Sequence, residues 1–309
     1  MTNTRKKYVT FFNALLLFLS ISNKINSQNS WFELQNTYEY RKNDFYAIDL
    51  ENYHLTMAES RLGANFSIRK PGLTFQPYFT IATIYDAGKK TWNNVDWHNN
   101  LVYGLGARLR LNPGKLLFLW PREFNIDVFA EAMNVHFFSN DLFYTGHRPK
   151  DDIKAGVQYW LSLGETENLK NWSSYFWCDN SGSFYYAKSS FYVRSQTNYY
   201  LFNFHSRFGT GCQLPNFLQT ELYLTYQLTY DLGSKSWNNL DWLNHFHYGF
   251  GGRFKYLYTS TTIVRKLSCV IIPYIEYLQI TYADKVAYIP SYRPKNDFRF
   301  GLNFWFSVH

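Results

Sequence analysis

The sequence predicts an all-β chain that closes into an antiparallel transmembrane β-barrel of about twelve strands, drawn from two tandem six-strand repeats. Three observations carry this expectation: a duplicated sequence, a series of segments that alternate apolar with polar residues, and an aromatic content of 21% in a chain whose mean hydropathy is polar at -0.36. After the leader no run is apolar for the about 18 residues that a transmembrane helix requires. Strands apolar only on alternate residues reconcile abundant aromatic side chains with a polar average.

The duplication sets the architecture. Tyr85 to Arg108, YDAGKKTWNNVDWHNNLVYGLGAR, recurs from Tyr230 to Arg253 as YDLGSKSWNNLDWLNHFHYGFGGR, with 14 of 24 positions identical. RPKDDIKAGVQYW from Arg148 recurs from Arg293 as RPKNDFRFGLNFW, and the offset is 145 in both cases (237 − 92 and 293 − 148). Glu131 and Glu276 keep that offset, whereas Ser60-Arg61 and Ser206-Arg207 are 146 apart, which places one inserted residue between them and the Trp-containing segments. Six strands cannot close a membrane barrel, for which about eight is the minimum, so the two repeats are expected to share one barrel.

Residues 1–27 stand apart chemically. Arg5, Lys6 and Lys7 precede an apolar run through Phe11, Phe12 and Ala14 to Leu19 and a polar end at Asn23 to Ser27, the pattern of a secretory signal peptide with Ile25 and Ser27 as the recognised pair. The remainder, 28–309, is read as the barrel, with repeat one at about 31–163 and repeat two at about 183–309. Removing the leader takes four cations and no acids, leaving 27 Lys and Arg (31 − 4) against 23 Asp and Glu. That small surplus and the absence of a basic run argue against a nucleic-acid partner. Cys178, Cys212 and Cys269 match neither a disulfide framework nor a zinc spacing, and the reading carries no cofactor and no metal.

The strands follow in order. Trp31 to Tyr40 and Tyr53 to Arg69 are the less regular openers. Leu73 to Asp86 alternates cleanly, with Leu73, Phe75, Phe79, Ile81 and Tyr85 opposite Thr74, Gln76, Tyr78 and Thr80. Its copy sets Leu218, Leu222, Leu224, Tyr226, Leu228 and Tyr230 against Gln219, Glu221, Thr225, Gln227 and Thr229. Leu101 to Arg110 puts Gly104, Gly106, Arg108 and Arg110 on the wet face, and its copy puts His245, His247, Gly249, Gly251, Arg253 and Lys255 there. Glu123 to Phe138, Phe184 to Arg194, Tyr199 to Gln213 and Leu267 to Tyr282 supply further strands; Pro273 weakens the last, because proline donates nothing to a ladder. The closing strands place Ile153, Ala155, Val157 and Tyr159 opposite Asp152, Lys154, Gly156, Gln158 and Trp160, and Phe298 to Phe306 opposite Asp297, Arg299, Gly301, Asn303 and Trp305. The polar stretch Gly164 to Gly182 is expected to join the halves.

Outer-membrane barrels start and end in the periplasm with short turns there. Strand counting puts Arg69 to Gly72 and Leu214 to Asn216 on that side, and Ala87 to Asn99, Ser139 to Lys150, Leu232 to Asn244 and Ala283 to Lys295 outside. The last strand resembles the aromatic-ended closing strand of outer-membrane proteins, except that it ends Ser307-Val308-His309.

The repeated loops offer Trp92, Asn94, Asp96 and Trp97, then Trp237, Asn239, Asp241 and Trp242. Indole faces stack on sugar rings and Asn and Asp bond hydroxyls, which would bind a glycan; equally, Asn and Asp shape a hairpin loop and Trp anchors a membrane interface. The wet faces contribute Arg108, Glu131, Asp152, Arg253, Glu276 and Asp297 as lumen-lining residues, either a pore lining or a self-satisfied network. No catalytic set is found. His136, Ser139 and Asn140 come nearest to a phospholipase arrangement but lack a second copy, and Glu131 with Asp152 is a glycosidase-like pair only in residue type.

A polar loop with Asn-x-Asp, then Tyr-Gly-x-Gly-x-Arg (Tyr103 to Arg108, Tyr248 to Arg253), a Glu-bearing strand and an Arg-Pro-x-x-Asp-x-x-x-Gly closing strand resembles the C-terminal barrel of the bacteriophage N-four adsorption protein A and related exopolysaccharide-export porins. The resemblance covers Tyr53 to Trp160 and Tyr199 to Trp305. It implies an outer-membrane barrel that exports or displays a surface polysaccharide and that a phage can use for adsorption. Those proteins carry a periplasmic helical-repeat region ahead of the barrel; here Gln28 leads almost directly into the first strand, which implies a separate partner. The expected partners are outer-membrane lipids, the barrel assembly machinery and a polysaccharide. The alternatives are a general diffusion or structural outer-membrane barrel, and a secreted carbohydrate-binding protein.

Overall fold

Alternating sequences pair most readily with one another, and here they do so until no edge remains. The computed structural model describes residues 30–43, 51–68, 72–86, 99–113, 123–138, 150–164, 169–189, 197–232, 244–261, 266–283 and 295–308. These form β1 (Ser30–Asn43), β2 (Glu51–Ala64), β3 (Phe66–Ser67), β4 (Leu73–Asp86), β5 (Asn100–Leu111), β6 (Glu123–Phe137), β7 (Asp151–Leu163), β8 (Ser174–Ser189), β9 (Thr197–Gln213), β10 (Leu218–Asp231), β11 (His245–Thr261), β12 (Lys266–Tyr282) and β13 (Asn296–Val308). From β4 to β13 each strand pairs antiparallel with the next, β4 also pairs with both β2 and the short β3, and β1 pairs with both β2 and β13. The sheet is therefore a closed antiparallel barrel, one unit rather than two separate ones.

The two-residue β3 continues β2, so the barrel has twelve staves. Its separation from β2 has a local cause. The ladder between β2 and β4 runs to Gly63↔Tyr78 and resumes at Phe66↔Phe75; Pro77 lies in the gap and has no N–H to give. Pro273 has a milder effect: β12 stays continuous while its pairing with β11 skips from Arg253↔Tyr274 to Tyr256↔Ile271.

One feature differs from the sequence expectation, and a second falls where it was expected. The stretch Gly164 to Gly182 is not all connection, because β8 begins at Ser174, ahead of the expected Phe184. Its polar residues misled the period-two reading: Asp179 and Ser181 share the inward face with Trp177, while outward Asn180 accepts a hydrogen bond from Tyr159 Oη at 2.6 Å and Gly182 lies under the Tyr159 ring. The one-residue offset between the repeats lies in the hairpins. Ile68 N–H bonds Leu73 O across four residues, whereas Leu214 N–H bonds Leu218 O across three.

One parity faces out and the other in. Leu105, Val128, Leu222, Leu224, Phe250 and Ile275 are exposed on the outside, an apolar belt suited to lipid. Inward positions of the same strands carry Gln76, Arg108, Asp127, Glu221, Arg253 and Glu276, all buried. The leader 1–27 and both Trp loops, with Trp92, Asn94, Asp96, Trp97, Trp237, Asn239, Asp241 and Trp242, lie outside the described residues.

Candidate functional site

Closing a barrel forces its inward side chains to satisfy one another, and the duplication makes them do so twice. In the first half, Arg108 on β5 donates from Nε to Gln76 Oε1 on β4 at 2.5 Å and from Nη2 to Glu33 Oε1 on β1 at 3.3 Å. Its Nη1 is 3.8 Å from Asp127 Oδ2 on β6, and its guanidinium carbon lies 4.5 Å from the Trp31 ring centroid. Beside it, Tyr78 Oη donates to Glu131 Oε1 at 2.6 Å, and Arg61 Nη2 is 3.6 Å from the same oxygen. Arg110 clamps Asp127 with two donors at 2.8 and 2.9 Å.

The second half repeats this arrangement atom for atom at most positions. Arg253 on β11 donates from Nε to Glu221 on β10 and from Nη2 to Asp179 Oδ2 on β8 at 3.1 Å, with its guanidinium carbon 4.1 Å from the Trp177 ring centroid. Tyr223 Oη donates to Glu276 Oε1 at 2.9 Å, and Arg207 Nη2 reaches it at 2.8 Å. Glycine makes room for the tyrosines. A Cβ on Gly106 would lie 2.6 Å from the Tyr78 ring, and one on Gly251 would lie 2.7 Å from the Tyr223 ring.

In each half one arginine thus reaches along a chord of four neighbouring staves, from β5 past β4 and β2 to β1, and from β11 past β10 and β9 to β8. Glu221 and Glu276 are each 1% exposed, so these are interior ion pairs and not a rim decoration. Buried carboxylates of this kind are tolerable only when paired and hydrogen-bonded. Towards the ends that carry the longer connections Val102, Met133 and Val135 form one apolar cluster, and Ala187, Tyr199 and Leu201 another, beside buried Asn100, His245 and His247.

All six lumen residues named from the sequence are buried and inward. Arg108, Glu131, Arg253 and Glu276 belong to the two lattices described above. Asp152 lies 3.9 Å from Lys154 Nζ on β7, and Asp297 accepts from Arg299 Nε at 2.5 Å on β13. Glu131 is spent as an acceptor within its lattice, and in the ladder Lys154, not Asp152, stands opposite it. His136 sits on the outward parity of β6, with its ring centroid 6.3 Å from that of Phe138; Ser139 and Asn140 lie outside the described residues. Cys178, Cys212 and Cys269 are free, and among the described residues no group of His, Cys, Asp and Glu could hold a metal ion. His245 and His247 are buried, with ring centroids 4.5 Å apart.

Sequence reasoning missed the partners that complete the lattices: Trp31, Glu33 and Arg61, with Trp177, Asp179 and Arg207. The available signal was the 146-residue offset, which Trp31 and Trp177 (177 − 31) and Arg61 and Arg207 (207 − 61) share. It marks inward residues on the strands before the hairpins, as 145 does after them.

Among the described residues no helix is long and apolar enough to cross a membrane. A closed antiparallel barrel with an apolar outer belt and a charged interior is the architecture of bacterial outer-membrane proteins, and this chain is an outer-membrane β-barrel. No protein-family model matches the chain, and no curated protein does. Solved structures similar to it include the COG4313 outer membrane channel from Pseudomonas putida F1, with TM-score 0.46, 11% identity and coverage of 91% of this chain and 96% of that one. The β-domain of the Bordetella autotransporter BrkA gives 0.41, 12%, 89% and 98%, and OmpF of Salmonella typhi gives 0.30, 10%, 91% and 98%. At such scores the particulars of this chain rest on its own geometry.

Proposed function

We propose that the chain is a non-enzymatic outer-membrane barrel of the general diffusion kind, with a lumen narrowed to small polar solutes. The observation that supports this is the pair of buried arginine chords, Arg108 to Glu33 and Arg253 to Asp179, each crossing four staves inside the barrel. A wide polymer conduit would leave such side chains solvated and apart; here they are packed on Trp31 and Trp177 and compensated by carboxylates. Lipids of the outer membrane and the barrel assembly machinery are the partners this reading requires.

The test is swelling of liposomes that hold the refolded barrel, with solutes graded from amino acids to oligosaccharides. Entry of the small members and exclusion of the long ones supports the reading. Exclusion of all of them moves it to a structural barrel, and passage of long oligosaccharides moves it to polymer export.

A second reading, export or display of a surface polysaccharide with use by phage for adsorption, draws on the twice-repeated Trp-Asn-Asn-x-Asp-Trp sequence. Alanine at Trp92, Trp97, Trp237 and Trp242 tests it. Lost glycan binding or phage adsorption with normal barrel assembly supports it, and misassembly alone assigns those residues to anchoring. Lipid or glycan hydrolysis abolished by one substitution would overturn both readings.

A further inference from the structure

Among the described residues four tryptophans point into the barrel, and they form two unlike pairs. Trp31 and Trp177 are buried under the guanidinium groups of Arg108 and Arg253 and belong to the two lattices. Trp160 and Trp305, 145 residues apart (305 − 160), occupy equivalent places near the ends of β7 and β13. Trp160 stands between Gln158, which donates to Asp127 Oδ2 at 3.2 Å, and Ser162, which donates to Asp179 Oδ1 at 2.8 Å, so it shares their inward face. Trp305 lies likewise between Asn303, which accepts from Thr37 Oγ1 at 2.8 Å, and buried Ser307. Yet Trp160 is 41% exposed where Trp177 is 1% exposed. An indole that only filled the interior would be covered as Trp177 is.

Both of these indoles adjoin the arginine chords. Ser162 stands opposite Asp179, which accepts the chord from Arg253, and Ser307 stands opposite Glu33, which accepts the chord from Arg108. Each indole is therefore one step along the inward face from the place where a chord narrows the lumen. The row beside it is polar: Asn125 and Ser181 stand opposite Trp160, and exposed Gln35 stands opposite Trp305. The charges nearby are matched to one another. Asp179 faces Arg207 in the ladder and accepts from Arg253, and Glu59, opposite Gln35, lies 2.8 Å from Arg61 Nη2.

We propose that Trp160 is a docking platform for a saccharide ring at the narrowing of the lumen, with Trp305 as its weaker twin. This rests on the diffusion reading and sharpens it, since the small polar solute it favours is a neutral sugar. A pyranose ring presents a flat face of C–H groups, which an indole covers, and a rim of hydroxyls, which match the amides and hydroxyl of Asn125, Gln35 and Ser181. The solute is neutral because the carboxylates beside the indoles already have cations of their own.

The test is block of the barrel's ion conductance in planar bilayers by glucose, maltose and the ringless polyol sorbitol. Glucose and maltose should block saturably, and sorbitol should not. Trp160→Leu should raise the half-blocking concentration about three- to tenfold, the loss of one stacking contact, with heat-modifiable migration and open conductance unchanged. Trp160→Phe should recover part of the block, and Trp305→Leu should have the smaller effect because that indole is half-buried. Conductance that no sugar blocks, equal block by sorbitol, or block that Trp160→Leu leaves unaltered would overturn the saccharide platform and leave the diffusion reading standing. A barrel that conducts no ions would overturn both.

Discussion

Gln76 and Glu221 occupy the same place in the two halves, each accepting from the Nε of the arginine opposite, yet one is neutral and the other charged. The first half makes up the difference with Asp127, 3.8 Å from Arg108 and clamped by Arg110; the second has Ile272 at that place and relies on Glu221 and Asp179. The junctions between the halves diverge further. Where β6, β7 and β8 meet, Phe129 and Tyr185 pack with ring centroids 6.3 Å apart and Lys154 Nζ lies 6.0 Å from the Tyr185 ring. At the counterpart junction Tyr274 Oη donates to Glu39, which also binds Arg41. The Arg–Tyr–Glu geometry recurs where all members come from one repeat, and it is rewritten where the partner strand comes from the other. A closed interior constrains total charge at each place, not the identity of the residue that supplies it.

The sharpest way to break this comparison is to delete the two chord arginines. Arg253→Ala strips the cation from fully buried Glu221 and should cost about 3–5 kcal/mol in urea unfolding of the micellar barrel. Arg108→Ala leaves neutral Gln76 and a Glu33 side chain that is 21% exposed, and should cost only about 1–3 kcal/mol. Equal losses would mean that the two halves are energetically alike despite their chemistry.

At the second junction, Tyr274→Phe removes the donor to buried Glu39 and should destabilise by about 1.5–3 kcal/mol in the same measurement. Next come the glycines under the tyrosines. The nearest atoms to a Cβ on Gly106 all belong to the Tyr78 side chain, whereas one on Gly251 also lies 2.8 Å from the backbone oxygen of Ile275. Within a range of about 1–3 kcal/mol, Gly251→Ala should therefore be worse than Gly106→Ala. The smallest effect belongs to Gln76→Glu combined with Asp127→Asn, which moves the carboxylate beside Arg108 to the place that it holds in the second half. Its stability change should stay within about 1–2 kcal/mol, since the charge there is conserved, and reversal potentials across a salt gradient should not shift.

Much of this was legible beforehand. Clean alternation in Leu73 to Asp86 and Leu218 to Tyr230 fixes which side chains face the lumen, because a strand has only two faces. The start of β8 was not legible, since Asp179 to Gly182 is polar on both faces and only the outward Tyr159 ring makes that acceptable. Nor could alternation say which inward residues meet. Arg61 and Glu131 lie 70 residues apart, and their approach depends on closure and on the stagger of the staves.

That closure also sets an order of events. Phe32 pairs with Val308 and Tyr40 with Phe300, so the first stave waits, with one side bare, until the last has been made. Contacts this distant along the chain are slow to find, because a long loop must close before they return any energy. The lattice of the first half already spans β1 to β6, so that portion can begin to order its lumen before its partner exists. The ring itself has no partial version: it is complete only when the final strand has slid between β12 and β1.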